Sequence, residues 1–484
     1  MSNKERIEKV AKAPEIEEIE EATETDKKNV LAWAFYDLAN TIYSMVIVSL
    51  IIGKYVLVVG QKGGMQYGDV SFIWGIVQMV MQISVAICVP ILGAFSDNAG
   101  KRKPFVISLT GIILLFASLI GFFQDLALVL LFFVIANVAY QFSLTFYDAM
   151  LPFIAKREDR ESVAGFGVAW GYLGTIIALV VVLPLMMTMG DLNSIPPTQA
   201  GDPLLSYGYA GTPWAFIIPM LLFLGFSVPF FFVREKQKKG KMPSIGTLVG
   251  NSLRQVRSTF KDIRNHKPMF LFIIGYFFVA DIANVIVAYM MQLVTDGLII
   301  GQDGDPSDIF GTLFIIIATI SAVAFTYFVG KFGRYGKEHL GFSNSGKNTF
   351  YLVGLLWGIS LIIGIILIFA FPYINIGLNL PFIMSLLVGI IAGPALGGTW
   401  TAARIMVMEL APKDKFGEYF GFSKLSGKIS SAMGPILIGS ILLTYDYIGK
   451  YSYGWALIAL GIVMLIGIII ISRVQYPDKE LKLE

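Results

Sequence analysis

From Val30 onward the chain alternates between apolar runs and short polar links. The runs fall near 30–59, 70–95, 104–122, 126–154, 163–189 and 212–233, and, after a longer basic link, near 269–297, 308–331, 349–371, 380–411, 417–445 and 453–472. A helix of about 20 residues crosses a hydrocarbon core of about 30 Å. Lipid offers backbone amides no partner, so such runs fold as helices. The pattern therefore predicts an all-α membrane protein of twelve transmembrane helices. Composition agrees: 56% of residues are hydrophobic and 15% charged, against roughly 25% charged in soluble domains.

Basic residues set the expected orientation. They crowd the links at 101–103, 156–160, 331–347 and 413–415, whereas Lys62 and Lys450 stand in the links of the other side. Both termini are thus expected in the cytoplasm, and the short loops suit a prokaryotic plasma membrane. Residues 1–28 read as a disordered acidic cytoplasmic tail and 474–484 as a cytoplasmic tail. Within the link 234–268, Ile245, Leu248, Val249, Leu253, Val256, Phe260 and Ile263 recur at three- and four-residue steps with Arg254, Arg257, Lys261 and Arg264 between them. This predicts an amphipathic helix lying in the membrane plane.

The link divides the chain into an N-terminal half, 29–233, and a C-terminal half, 269–473, of six spans each. Asp37-Leu-Ala-Asn40 in the first span repeats as Asp281-Ile-Ala-Asn284 in the seventh. Gly165-Phe166 with Gly171 in the fifth span repeats as Gly421-Phe422 with Gly427 in the eleventh. Matches in register predict two pseudo-symmetric six-helix bundles, a plan in which the binding site lies between the repeats.

Polar residues at helical spacing mark candidate faces. In the first span these are Asp37, Asn40, Thr41 and Ser44; in the fourth, Asn137, Gln141, Thr145 and Asp148; in the seventh, Asp281 and Asn284; in the tenth, Trp400, Thr401 and Arg404. A charge at mid-membrane costs about 2.5–3.5 kcal/mol on insertion scales, so it faces water, pairs or takes up a proton. Asp281 is the deepest acid, and proton coupling, amine binding and a structural hydrogen bond are its alternatives. Asp37 has the same alternatives, with a tie to Tyr36 or nearby backbone as the structural one. Arg404 suits a substrate carboxylate or a pair with Asp148, and Asp148 also suits a gate with Arg102.

The loop Gly93-x3-Asp97-x2-Gly100-Lys101-Arg102 between spans two and three resembles the signature of the major facilitator superfamily. The resemblance implies that Gly93, Asp97, Gly100, Lys101 and Arg102 latch the cytoplasmic ends and that spans one, four, seven and ten line the path. Lys424 and Lys428 open span eleven near this expected latch, as gating residues or as lysines that snorkel to the interface. A narrower resemblance is carried by Trp33-Ala-Phe-Tyr36-Asp37-Leu-Ala-Asn40-Thr-Ile-Tyr43, by Gly165-Phe-Gly167-Val-Ala-Trp-Gly171 and by Glu418-Tyr-Phe-Gly421-Phe with Gly427-Lys428 and Gly434-Pro435. These are similar to motifs of the vacuolar amino-acid effluxer family linked to autophagy, which has prokaryotic members. The chain departs from that pattern at Leu38, Trp400 and Glu409, where tryptophan, glutamine and a basic residue are expected.

The resemblance implies a secondary active transporter working by alternating access on an amino acid or similar small solute, with protons as a candidate coupling ion. The expected binding residues are Tyr36, Asp37, Asn40, Tyr43, Asn137, Gln141, Asp281, Asn284, Trp400 and Arg404. A cation-coupled sugar symporter is the alternative in the same class, and a nutrient sensor that does not transport is the alternative outside it. No enzyme is expected: His266, His339 and Cys88 form no metal cluster. The stretch Gly341 to Asn348 lacks the Ser/Thr of a phosphate loop. No cofactor and no nucleic acid are expected, and the expected partners are the solute and the bilayer, around a monomer.

Overall fold

The computed structural model describes residues 22, 24–98, 102–156, 159–177, 213–235, 245–298, 307–339, 344–370, 380–411 and 416–476. Every regular element among them is helical. In chain order the long helices are α1 (Lys27–Lys62), α2 (Tyr67–Asn98), α3 (Lys103–Leu119), α4 (Leu126–Asp148), α5 (Arg160–Ile177) and α6 (Pro213–Ser227). Then come α7 (Ile245–Asn265), α8 (Lys267–Gln292), α9 (Ser307–His339), α10 (Ser345–Phe369), α11 (Leu380–Leu410), α12 (Phe416–Leu442) and α13 (Tyr451–Ser472). Among the described residues ten helices are long and apolar enough to cross a membrane. The expected fifth span is described only as far as Ile177, and the eighth falls within α9, whose apolar stretch Ile316–Thr326 is shorter.

Sequence accounts for where several helices start. Asp26 caps α1 by accepting a 2.9 Å bond from the Lys28 amide, and Asp125 caps α4 through the Leu128 amide at 2.9 Å. Each satisfies an amide that has no intrahelical partner. Glu409, at a departure from the family pattern, does the same at a distance: its carboxylate accepts from the Gly346 amide at the start of α10 and from the Tyr476 hydroxyl. Burial and this carboxylate push the Tyr476 phenol well up. A basic residue in its place would meet an amide and a hydroxyl that both donate.

α1 and α8 share an irregularity. Tyr43–Ile51 in α1 is π-helical, and Leu293–Leu298 continues α8 as a π-helix. In α1 the hydroxyls of Thr41, Ser44 and Ser49 bond back to the carbonyls of Asp37, Thr41 and Ser44. Such bonds compete for carbonyls that the regular ladder uses, and widened turns of this kind recur at functional sites.

Small residues let helices approach. On α11, a Cβ at Gly393 would overlap the Ala318 carbonyl oxygen of α9, and one at Gly397 would overlap the Thr326 hydroxyl. The glycine series thus seats α11 on α9 within the chain. The two ends of the molecule differ in what they carry: the terminal face holds the start of α1 and the end of α13, and the opposite face holds the turns 63–66 and 443–450.

Candidate functional site

Each copy of the repeat faces the fifth membrane helix of its own half, at a different position along it. On α1, Asp37 accepts from the Asn40 amide at 3.3 Å and faces α5, where a Cβ at Gly167 would lie 3.1 Å from its Oδ2. On α8, Asp281 is 3% exposed and accepts from the Gly434 amide of α12 at 2.9 Å. Asn284 donates to the Gly427 carbonyl of α12 at 3.2 Å. In each half an acid of the first helix meets a glycine of the fifth. The contact exists because glycine presents its backbone without a side chain in the way. At Gly434 it coincides with a break in the ladder, since Pro435 has no amide to donate. The Pro435 carbonyl accepts from the Tyr289 hydroxyl at 3.1 Å.

The structure separates the other expected binding residues. Tyr36 points away from Asp37 into the bundle, where its hydroxyl meets Thr110 at 2.8 Å and Ser143 at 3.1 Å among Tyr147, Phe223 and Phe230. It is 1% exposed, since a residue next to Asp37 lies about 100° round the helix. Tyr43 packs at 4.9 Å on Tyr140, and Asn137 contacts the Met81 sulfur at 3.2 Å. Among the described residues the Tyr43 hydroxyl and the Asn137 carbonyl oxygen are buried without a hydrogen-bond partner. Trp400 packs against both apolar clusters, one that spans the two halves and one confined to the C-terminal helices.

Polar groups of α4 and α12 meet toward the terminal face. Asp148 and Lys424 lie 3.6 Å apart, each 61% exposed. One helical turn deeper, the Lys428 ammonium bonds the Gln141 side-chain oxygen. Arg404 of α11 is exposed and lies near Tyr276.

The residues expected to gate fall in two places. Asp148 pairs with Lys424, and Lys428 of the same helix meets Gln141 of α4. Arg102 turns to Glu235 beyond α6, at 3.6 Å, and its guanidinium lies 4.3 Å over the Phe153 ring. The amides of Arg102 and Lys103 also donate to Glu235. The described part of this loop is therefore tied within the N-terminal helices. The side chains of Gly93, Asp97, Gly100 and Lys101 lie outside the described residues.

The opposite face carries a buried cluster that the sequence reading missed. Lys54 of α1 forms an ion pair with Asp296 at the end of α8, with side chains 2% and 7% exposed. The Tyr67 hydroxyl donates to Asp296 at 2.6 Å and contacts the Tyr453 hydroxyl. Asp446 accepts from the Tyr67 and Gly68 amides at 3.1 and 2.8 Å, so it caps α2 from the far half of the chain. Gln292 adds a 2.8 Å bond to the Gly53 carbonyl. Burial, with Asp296 and Asp446 nearby, pushes the Tyr445 phenol up to about 12. The available signal was a second charge in each of two repeat-equivalent runs, Lys54 beyond Asp37 and Asp296 beyond Asp281.

Residues 59–481 match the family described as Vacuole effluxer Atg22 like. The chain is 27% identical over 448 residues to an uncharacterised MFS-type transporter, YxiO, of Bacillus subtilis, covering 92% of this chain and 94% of that one. It is 26% identical over 348 residues to autophagy-related protein 22 of Yarrowia lipolytica, covering 68% of this chain and 53% of the yeast protein. In fold it is similar to a mutant form of the nucleoside transporter NupG, with a TM-score of 0.68, 12% identity and coverage of 93% and 100%. It is also similar to a D-xylose-proton symporter, with a TM-score of 0.63, 13% identity and coverage of 93% and 98%.

Proposed function

The chain belongs to the Atg22-like vacuole effluxer family and has the major facilitator fold, and on that premise we propose that it carries an amino acid or similar small polar solute across the membrane by alternating access. The observation that carries this reading is the asymmetry of the two ends. Between the halves the opposite face is closed by Lys54, Asp296, Tyr67, Tyr453 and Asp446, while the terminal face admits solvent to Asp148 and Lys424. A carrier needs a path open to one side at a time, and this arrangement is one of its two states.

In this reading the terminal face is cytoplasmic, because the basic links lie there, and the host membrane is a prokaryotic plasma membrane. Asp37 and Asp281 are the candidate proton carriers. Each is a carboxylate held between two helices of its own half, Asp37 against α5 and Asp281 against α12. Asn40, Gln141, Asn284 and Arg404 remain as groups that meet the solute, and the protein acts as a monomer.

The test is counterflow of labelled leucine in proteoliposomes loaded with unlabelled leucine, challenged with a panel of competitors. Other amino acids are expected to compete, and xylose and uridine to leave the flux unchanged. Competition by xylose or uridine alone would move the substrate to the sugar or nucleoside class. A protein that binds leucine with no counterflow would be a sensor.

A further inference from the structure

Lys428 is a half-buried cation whose ammonium meets a neutral amide. It offers three N–H donors, and the partner described for its side chain is the Gln141 oxygen. The neighbouring carboxylate, Asp148, lies against Lys424. Helix α12 holds Lys428 firmly in place: the preceding carbonyl, Gly427, accepts from Asn284, and the Lys428 carbonyl accepts from the Ser431 hydroxyl at 2.7 Å. Lys428 lies one helical turn from the exposed Lys424, where a helix of each half meets the other.

We propose that Lys428, with Gln141, is the site that takes the carboxylate of the transported solute, and that the substrate class is defined by that carboxylate. An ammonium with donors to spare is matched by an anionic oxygen, and charge-assisted bonds of this kind are about twice as strong as neutral ones. Gln141 suits both conditions of the site. Its oxygen accepts from the ammonium when no solute is bound, and its NH2 group donates to a carboxylate oxygen once the solute takes the lysine. Because the solute would touch α4 and α12 together, its binding would draw the two halves toward each other on the open side. Arg404, exposed on α11, is then a group of the entrance.

This inference rests on the transport reading above, and its test separates the two. Three solutes matched in shape serve as probes of the full-length protein in detergent: leucine, 4-methylpentanoate, which lacks the amine, and 3-methylbutylamine, which lacks the carboxylate. Thermal stabilisation is measured for the wild type, Lys428→Gln, Lys428→Arg and Gln141→Glu. Leucine and 4-methylpentanoate are expected to stabilise the wild type and Lys428→Arg, and 3-methylbutylamine to stabilise neither. In Lys428→Gln the two carboxylate probes should bind at least about tenfold more weakly. Gln141→Glu keeps the lysine but supplies an internal carboxylate, so it should unfold at a higher temperature and no longer respond to either acid. The proposal is overturned if 4-methylpentanoate stabilises Lys428→Gln or Gln141→Glu as it does the wild type, if the amine stabilises the wild type as well as the acids do, or if neither acid stabilises the wild type. If 4-methylpentanoate binds through Lys428 while leucine shows no counterflow, the carboxylate site stands and the amino-acid reading falls.

Discussion

Lys54→Met is expected to open the opposite face. The pair it breaks is almost wholly buried, and the partner left behind is a carboxylate. Removing one member of a buried pair costs about 3–5 kcal/mol, chiefly because the other charge stays in a place that water cannot reach. Here the protein has an escape that a soluble core lacks, which is to move Asp296 into water by parting α1 from α8. At about 1.4 kcal/mol per factor of ten, a cost of this size shifts the balance between states by roughly a hundredfold or more. In a Cys88→Ser background, a cysteine placed at Tyr453 should react with a water-soluble thiol reagent far faster in Lys54→Met than with Lys54 present. The double variant Lys54→Met, Asp296→Leu should return most of the closure, since apolar replacement of a buried pair is often neutral or better. Equal labelling rates in all three proteins would show that the ion pair does not hold this face shut.

Gly434→Ala carries the second large effect. Its Cβ would overlap a methyl of Val285 and stand 2.7 Å from Asp281 Oδ1. Neither neighbour is the loose end of a long side chain, so α12 must move off α8. Overpacking of this kind costs about 1–3 kcal/mol, and displacement of the Gly434 amide adds the loss of the bond to Asp281. Gly421→Ala, on the same helix, is the control, because nothing lies within 4 Å of its added carbon. It should be neutral or gain about 0.4–1 kcal/mol from the stiffer unfolded chain. Thermal unfolding of the two purified variants measures the difference, and equal melting temperatures would remove the glycine contact from the account.

How far the sequence reading reached is clearest in this same region. The repeat of Asp-x-Ala-Asn and the glycine spacing of spans five and eleven were legible, because each is a local pattern in one apolar run. That the acid of one would meet the glycine of the other was not, since helical phase says which residues share a face and not which helix that face meets. The same limit explains Asp148, whose phase placed it toward the path while its place at the inner end of span four suggested Arg102. Its partner Lys424 lies in the other half of the chain, and Arg102 is taken by Glu235. Lys54 and Asp296 were overlooked for a different reason. Each is a single charge near the end of a span, where lysines and aspartates are common, and only the pairing across 242 positions makes them unusual. Tyr36 belonged to a motif and was read with it, although its side chain leaves the helix toward the aromatic interior.

If the halves rock about a path between them, distances across the two faces change in opposite senses. Spin labels at Gln66 and Tyr447 report the opposite face, and labels at Lys156 and Tyr335 report the terminal face. On addition of leucine to the protein in nanodiscs, the account predicts that a population appears in which the first distance is longer and the second shorter. Two distances that stay fixed, or that lengthen together, would contradict it.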